Sequence, residues 1–315
     1  MNEVCQILGT QYPIIQGAMA RIAESSLAAA VSNGGGLGII ASGGYDAQWL
    51  RDEIKKVRSL TDKPFGVNLM LLMPNIDELI QVVCEEKVPV VTTGAGNPGK
   101  YMKTLKDAGI KVIPVVASVA LAVRVERAGA DAVIAEGTEA GGHIGEITTM
   151  ALTPQVADAV TIPVIAAGGI ADGRGVAAAF MLGAKGIQVG TRFVVAKECI
   201  VSQNYKDAII KAKDTDTCAT GRSTGHPVRV IKNKMAREIL SLEKSSATVE
   251  EAQAAIDKLG IGALSAAVFD GDVERGSVMS GQIAGIISKE QPAAEMIKEM
   301  FDEAQKIYDE KVSLI

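Results

Sequence analysis

The sequence predicts an α/β protein, a (β/α)8 TIM barrel carrying a helical C-terminal subdomain. Three observations predict it. Eight short Val- and Ile-rich runs begin at residues 13, 37, 65, 88, 111, 131, 163 and 185, spacings that hold one strand and one crossover helix each. The runs are apolar throughout rather than alternating, the mark of parallel strands buried on both faces. The segments between them carry helical spacing and helix punctuation. Eight such units within about 195 residues favour closure into a barrel, although alternation alone is also compatible with a doubly wound sheet.

In chain order the strand-like runs are residues 13–18, 37–41, 65–69, 88–92, 111–115, 131–135, 163–167 and 185–189. Among the helical segments, 24–33 is Ala-rich, and 47–59 places Leu50, Ile54 and Val57 at i, i+4 and i+7. Pro98 opens 100–108 and Gly109 ends it, and Gly129 closes 119–128 in the same way, as proline and glycine do at helix ends. The longest interval contains a loop at 136–150, and an extended loop after a barrel strand is usually functional. After residue 200 the rhythm stops. Segments 206–213, 232–243 and 250–259 read as helices, followed by a Gly-rich stretch at 260–285 and an amphipathic helix at 293–311. The expected organisation is a barrel over 1–200, a helical and Gly-rich subdomain over its mouth at 201–290, and a C-terminal helix at 291–315 packing back on the barrel.

Composition excludes several classes of function. The 315 residues are 48% hydrophobic and 22% charged, enough apolar material for a large core. A net charge of −5 gives no whole-surface attraction to nucleic acid or anionic lipid. The 3% aromatic content argues against base-stacking platforms. Cys5, Cys84, Cys199 and Cys218 are scattered, so neither a metal site nor a disulfide framework is indicated, and a reducing cytoplasm is expected. No signal peptide opens the chain, and no apolar run reaches the length of a membrane span.

Five constellations carry chemistry. Ala167-Gly168-Gly169-Ile170 after the seventh run and Gly190-Thr191 after the eighth stand where barrels commonly bind phosphate. There glycine lets backbone N–H groups approach an anion; the structural alternative is ordinary tight turns. Glu136-Gly137-Thr138-Glu139-Ala140-Gly141-Gly142-His143 after the sixth run can fold against a flat ligand and present an imidazole for proton transfer. A histidine that only bonds its own loop is the alternative, and its place past a barrel strand favours function. Thr93 and Gly94 begin a turn whose Gly94, Gly96 and Gly99 formally match a dinucleotide fingerprint. The confirming acid about 20 residues later is missing, so an ordinary tight turn is the plain reading, and a ligand-lining role for residues 93–96 stays open. Gln16-Gly17-Ala18-Met19 and Asn68 end the first and third runs, and their amides should face the mouth, where they could satisfy the donors and acceptors of a ring or, equally, only cap their loops. Arg222, Arg229, Lys232, Lys234 and Arg237 form a basic stretch without acids, containing His226, able to attract an acidic carrier or a dinucleotide phosphate or simply to solvate a helix face.

These motifs, with Val189-Gly190-Thr191-Arg192-Phe193 and Gly276-Ser277-Val278-Met279-Ser280, resemble the FMN-dependent enoyl-[acyl-carrier-protein] reductases II, which belong with the nitronate monooxygenases. The resemblance spans nearly the whole chain. It implies FMN as cofactor and NADH or NADPH as co-substrate. It also implies reduction of trans-2-enoyl-acyl-carrier-protein thioesters in bacterial fatty-acid elongation. Residue by residue it implies His143 as the catalytic histidine. For FMN it implies Gln16, Gly17, Ala18, Met19, Asn68, Thr93, Gly94, Glu136, Gly142, Gly168, Gly169, Gly190 and Thr191, with Met279, Ser280 and Gln282 closing over the flavin. A homodimer is compatible with it. Two other activities remain open: nitronate monooxygenase, and a non-catalytic flavin-binding regulatory barrel.

Overall fold

Each of the eight apolar runs forms a strand, as the spacing predicts. The computed structural model describes residues 2–246 and 248–310. Its barrel strands are β1 (Ile14–Gln16), β2 (Gly38–Ala41), β3 (Phe65–Met70), β4 (Val90–Gly94), β5 (Lys111–Val116), β6 (Val133–Glu136), β8 (Val164–Ala167) and β9 (Gly186–Val189); β7 is a two-residue strand, Gly142–His143, outside their sheet. The order is β1-β9-β8-β6-β5-β4-β3-β2, all parallel. The ring closes through a parallel bridge between Ile15 and Leu37. Gln16 does not face the mouth as predicted. It is buried in this seam, where Oε1 accepts from the Ile39 N–H at 3.0 Å and Nε2 donates to the Gly17 carbonyl at 2.6 Å. The β1–β2 edge has only an isolated bridge, so a side-chain amide completes the hydrogen bonding that a ladder supplies elsewhere.

Branched apolar side chains fill the barrel interior. Ile15, Ile39, Val90, Ile113, Ile134 and Ile165 pack there with Val4 and Leu8 of α1 (Glu3–Leu8). The outer helices are α2 (Ser25–Asn33), α3 (Ala47–Leu60), α4 (Ile76–Glu85), α5 (Gly99–Asp107), α6 (Val119–Arg127), α7 (Thr149–Ala159), α8 (Gly173–Met181) and the short α9 (Thr191–Val194). Three of their starts are capped by short polar side chains: Asp46 accepts from Trp49 N–H, Ser118 from Leu121 N–H, and Asp172 from Arg174 and Gly175 N–H. Against β2, α2 lies so close that a Cβ at Gly38 would sit 1.8 Å from the Ala28 carbonyl oxygen.

Beyond the barrel come α10 (Gln203–Lys211), α11 (Lys234–Ser245), α12 (Val249–Gly260), α13 (Ala263–Ser265) and α14 (Ala293–Asp309). Met296, Ile297, Met300 and Ala304 of α14 are buried where it packs on α8 and α2; Lys311, placed in this helix by the sequence, lies outside the described residues. The subdomain is not purely helical. β10 (Thr217–Thr220) and β11 (Val228–Ile231) form an antiparallel hairpin, and β11 pairs with β7 to make a three-stranded sheet. The sequence conceals this sheet because each strand is four residues or shorter and the third one is contributed by the distant barrel loop. Among the described residues no single helix is long and apolar enough to cross a membrane.

Candidate active site

The carboxyl ends of the parallel strands open into a cavity of about 940 Å³ that residues 260–265 and 279–283 of the subdomain help to enclose. This is at the large end for small-molecule sites. Gly168 and Gly169 leave β8 with φ of 88° and 75°, a backbone that glycine adopts without strain. A Cβ at Gly168 would meet the Gly137 carbonyl oxygen at 2.9 Å. Neighbouring β9 delivers Gly190 and Thr191, and β1 delivers Gly17; a Cβ at Gly17 would lie 3.5 Å from Gly190 Cα. Three adjacent strands thus present glycine backbone to one sector of the cavity. Arg192, next in sequence, turns away: it is buried and donates to Gln291 Oε1 at 2.5 Å.

The loop after β6 is tied to this sector by a residue that sequence reasoning did not single out. Glu139 accepts from the Thr149 N–H, which opens α7, at 3.0 and 2.9 Å to its two oxygens. The Thr149 hydroxyl lies 2.9 Å from Glu139 Oε2, 2.9 Å from the Gly168 carbonyl and 3.1 Å from that of Ala167. A carboxylate at a helix N-terminus is favourable, and here it fastens the His143 loop to the β8 turn. The Glu139 carbonyl also accepts from Gln282 N–H, while Gly281 N–H donates to Thr191 Oγ1 at 2.9 Å. No sequence spacing signals this node, since Glu139 and Thr149 meet only through loop folding.

His143 stands on β7, opposite Val228 of β11. Farther along β11, Val230 bridges to Met279, so one strand registers both the histidine and the methionine beside the cavity. Arg229 is buried between them and donates through Nε to the Thr138 carbonyl at 3.0 Å. That accounts for one cation of the basic stretch; a second, Arg222, pairs with Glu146 at 2.6 Å. The His143 imidazole is open to the cavity yet partly enclosed by the loops. Burial first, then the neighbouring His226, push its pKa below the ordinary histidine value, which favours the neutral ring at pH 7. At the end of β6, burial pushes the Glu136 carboxyl up to about 7.

Of the residues predicted for the site, Gly17, Ala18, Met19, Asn68, Gly94, Glu136, Gly142, His143, Gly168, Gly169, Gly190, Thr191 and Met279 line this one cavity. Gln16, Thr93, Ser280 and Gln282 do not. Gln16 serves the barrel seam. Gln282 is exposed and is held by its backbone, not its side chain. Thr93 and Ser280 are buried, and their hydroxyls have no hydrogen-bond partner among the described residues.

Fold and site together define a (β/α)8-barrel enzyme with its ligand cavity at the carboxyl mouth. The particular kinship follows from comparison. The chain belongs to the nitronate monooxygenase family, whose profile matches residues 2–79 and 74–303. It is 51% identical to FabK from Thermotoga maritima, with 98% of each chain covered and a TM-score of 0.95. It is 39% identical over 288 residues to a probable nitronate monooxygenase of Staphylococcus aureus, covering 77% of this chain and 81% of that one. A nitroalkane oxidase from Streptomyces ansochromogenes is 29% identical, with 98% and 100% of the two chains covered and a TM-score of 0.85. The protein is accordingly an oxidoreductase with a flavin cofactor. The residues present fit such a group. Nothing lies within 4 Å of where a Cβ at Gly94 would stand, so any side chain there would occupy the space of a flat ligand.

Proposed function

We propose that the chain is an FMN-dependent enoyl-thioester reductase, using NADH or NADPH to reduce trans-2-enoyl-acyl-carrier-protein in bacterial fatty-acid elongation in the cytoplasm. The observation that carries this reading is the cavity: about 940 Å³, room for a flat cofactor and an extended substrate beside His143. The 51% identity to FabK over 98% of the chain supports it.

When bound, FMN would supply the redox chemistry, hydride transfer between a nicotinamide and the enoyl thioester. Gly168, Gly169 and Gly190 would hold its phosphate by backbone N–H groups. The neutral His143 imidazole would donate a hydrogen bond to the thioester oxygen where negative charge develops. Arg229 and β11 hold the loop that carries that imidazole. Exposed Lys232, Lys234 and Arg237 are cations of this stretch that would meet an acidic carrier protein.

A second reading, nitronate monooxygenase, is favoured by the Staphylococcus relatives. Anaerobic spectroscopy separates the two. Bleaching of the flavin by NAD(P)H and its recovery on adding crotonyl or longer enoyl thioester is the result expected. Oxygen-dependent consumption of a nitronate, with no recovery by thioester, would instead establish the monooxygenase. A non-catalytic flavin binder would show neither.

A further inference from the structure

We propose that the cavity has an acyl-chain pole over β3, β4 and β5, diametrically across the barrel from the glycine turns, where Leu72 and Leu121 act as specificity-determining residues. The inference rests on the reductase reading and extends it to the site that takes the substrate's hydrocarbon tail. In the ring of strands, β8 and β9 are separated from β4 and β3 by β6 and β5 on one side and by β1 and β2 on the other. One pole is therefore glycine backbone suited to an anion. The opposite pole is lined by Met70, Leu72 and Met73 after β3 and by Val115, Ala117 and Leu121 after β5, with only the Gly94 turn of β4 between them.

No charged side chain lines the cavity from these three strands. The one strongly polar group there, Asn68, already donates to Thr92 Oγ1 at 3.0 Å. Leu72 is 73% exposed, although a large aliphatic side chain at a cavity rim gains by being covered. Ala117 touches the His143 loop, for a Cβ at Gly145 would come 2.7 Å from Ala117 Cβ. The apolar lining thus reaches from the rim to the loop that carries the imidazole, the path an acyl chain needs if its thioester end lies at His143. A small nitronate would leave this pole uncovered.

Each methylene taken into such a pole should tighten binding about threefold to fourfold. The test uses the flavin-loaded protein titrated with saturated butyryl- and dodecanoyl-pantetheine, read by the change in flavin absorbance. These thioesters cannot be reduced, so binding is measured apart from turnover. The twelve-carbon ligand should bind at least thirtyfold more tightly than the four-carbon one. Leu121→Trp, which fills the pole, and Leu72→Asp, at an exposed position that folding tolerates, should each cut that ratio at least tenfold. No chain-length preference in the unmodified protein, or a ratio unchanged in both variants, would overturn the assignment. Failure of the reductase reading would show separately, as a reduced flavin that no enoyl thioester of any length reoxidises.

Discussion

Replacing Glu139 with alanine tests the claim that one carboxylate couples the histidine loop to the glycine turn of β8. The substitution removes both acceptors of the Thr149 N–H and one of the three acceptors near the Thr149 hydroxyl. Losing a side-chain cap at a helix start costs about 1 kcal/mol, and a hydrogen bond to a charged group contributes about 1.5–3 kcal/mol. Glu139 is only partly buried, so the combined loss should be about 2–3 kcal/mol. For 315 residues this lowers Tm by roughly 3–5 °C. The functional effect should exceed the stability effect, because Thr149, whose hydroxyl also lies 2.9 Å from the Gly168 carbonyl, no longer links that turn to the histidine loop. Flavin fluorescence titration of the apoprotein should show cofactor affinity falling at least tenfold, with Glu139→Gln intermediate. If Tm drops as expected while flavin affinity stays within twofold of the unmodified protein, the turn keeps its shape unaided and the coupling argument is wrong.

Three further outcomes follow from the same geometry. His143→Ala should keep its flavin yet lose about 10²–10⁴ in turnover, and in the unmodified enzyme the acid limb of kcat/KM should fall below pH 6.5, given the lowered imidazole pKa; full activity in the variant would remove His143 from the mechanism. Glu136 titrates near 7 when folded, against an ordinary value of 4.5, so between those values the folded chain holds a proton that the unfolded chain has released. Stability therefore falls as pH rises through this window, by up to about 3 kcal/mol. Flavin-free Glu136→Gln should lose that slope in melts from pH 5 to 8, and an unaltered slope contradicts the burial argument. Arg229→Ala removes the bond to the Thr138 carbonyl beneath the histidine loop; kcat should fall about tenfold with KM little changed, whereas a uniform loss explained by unfolding in circular dichroism would assign Arg229 a purely structural role.

The sequence by itself determined eight parallel β/α units, and the bridge between Ile15 and Leu37 decided that they close into a barrel. Eight apolar runs at crossover spacing admit few arrangements, because strands buried on both faces must be parallel and covered by helices. It also placed most of the residues that line the cavity, since residues just past the carboxyl ends of barrel strands converge on one mouth whatever their distance in the chain. Gly168, Gly190 and His143 were legible for that reason. Only the tertiary structure decided what happens between loops. Gln16 lies at a strand end yet serves the seam, because hydrogen bonding at the β1–β2 closure depends on where the ring meets itself. β11 pairs with the histidine loop although the segment reads as a basic stretch, and Glu139 reaches Thr149 across a fold of the same loop. Periodicity records how one element meets a continuous core; it carries no record of which separate loops share a hydrogen bond.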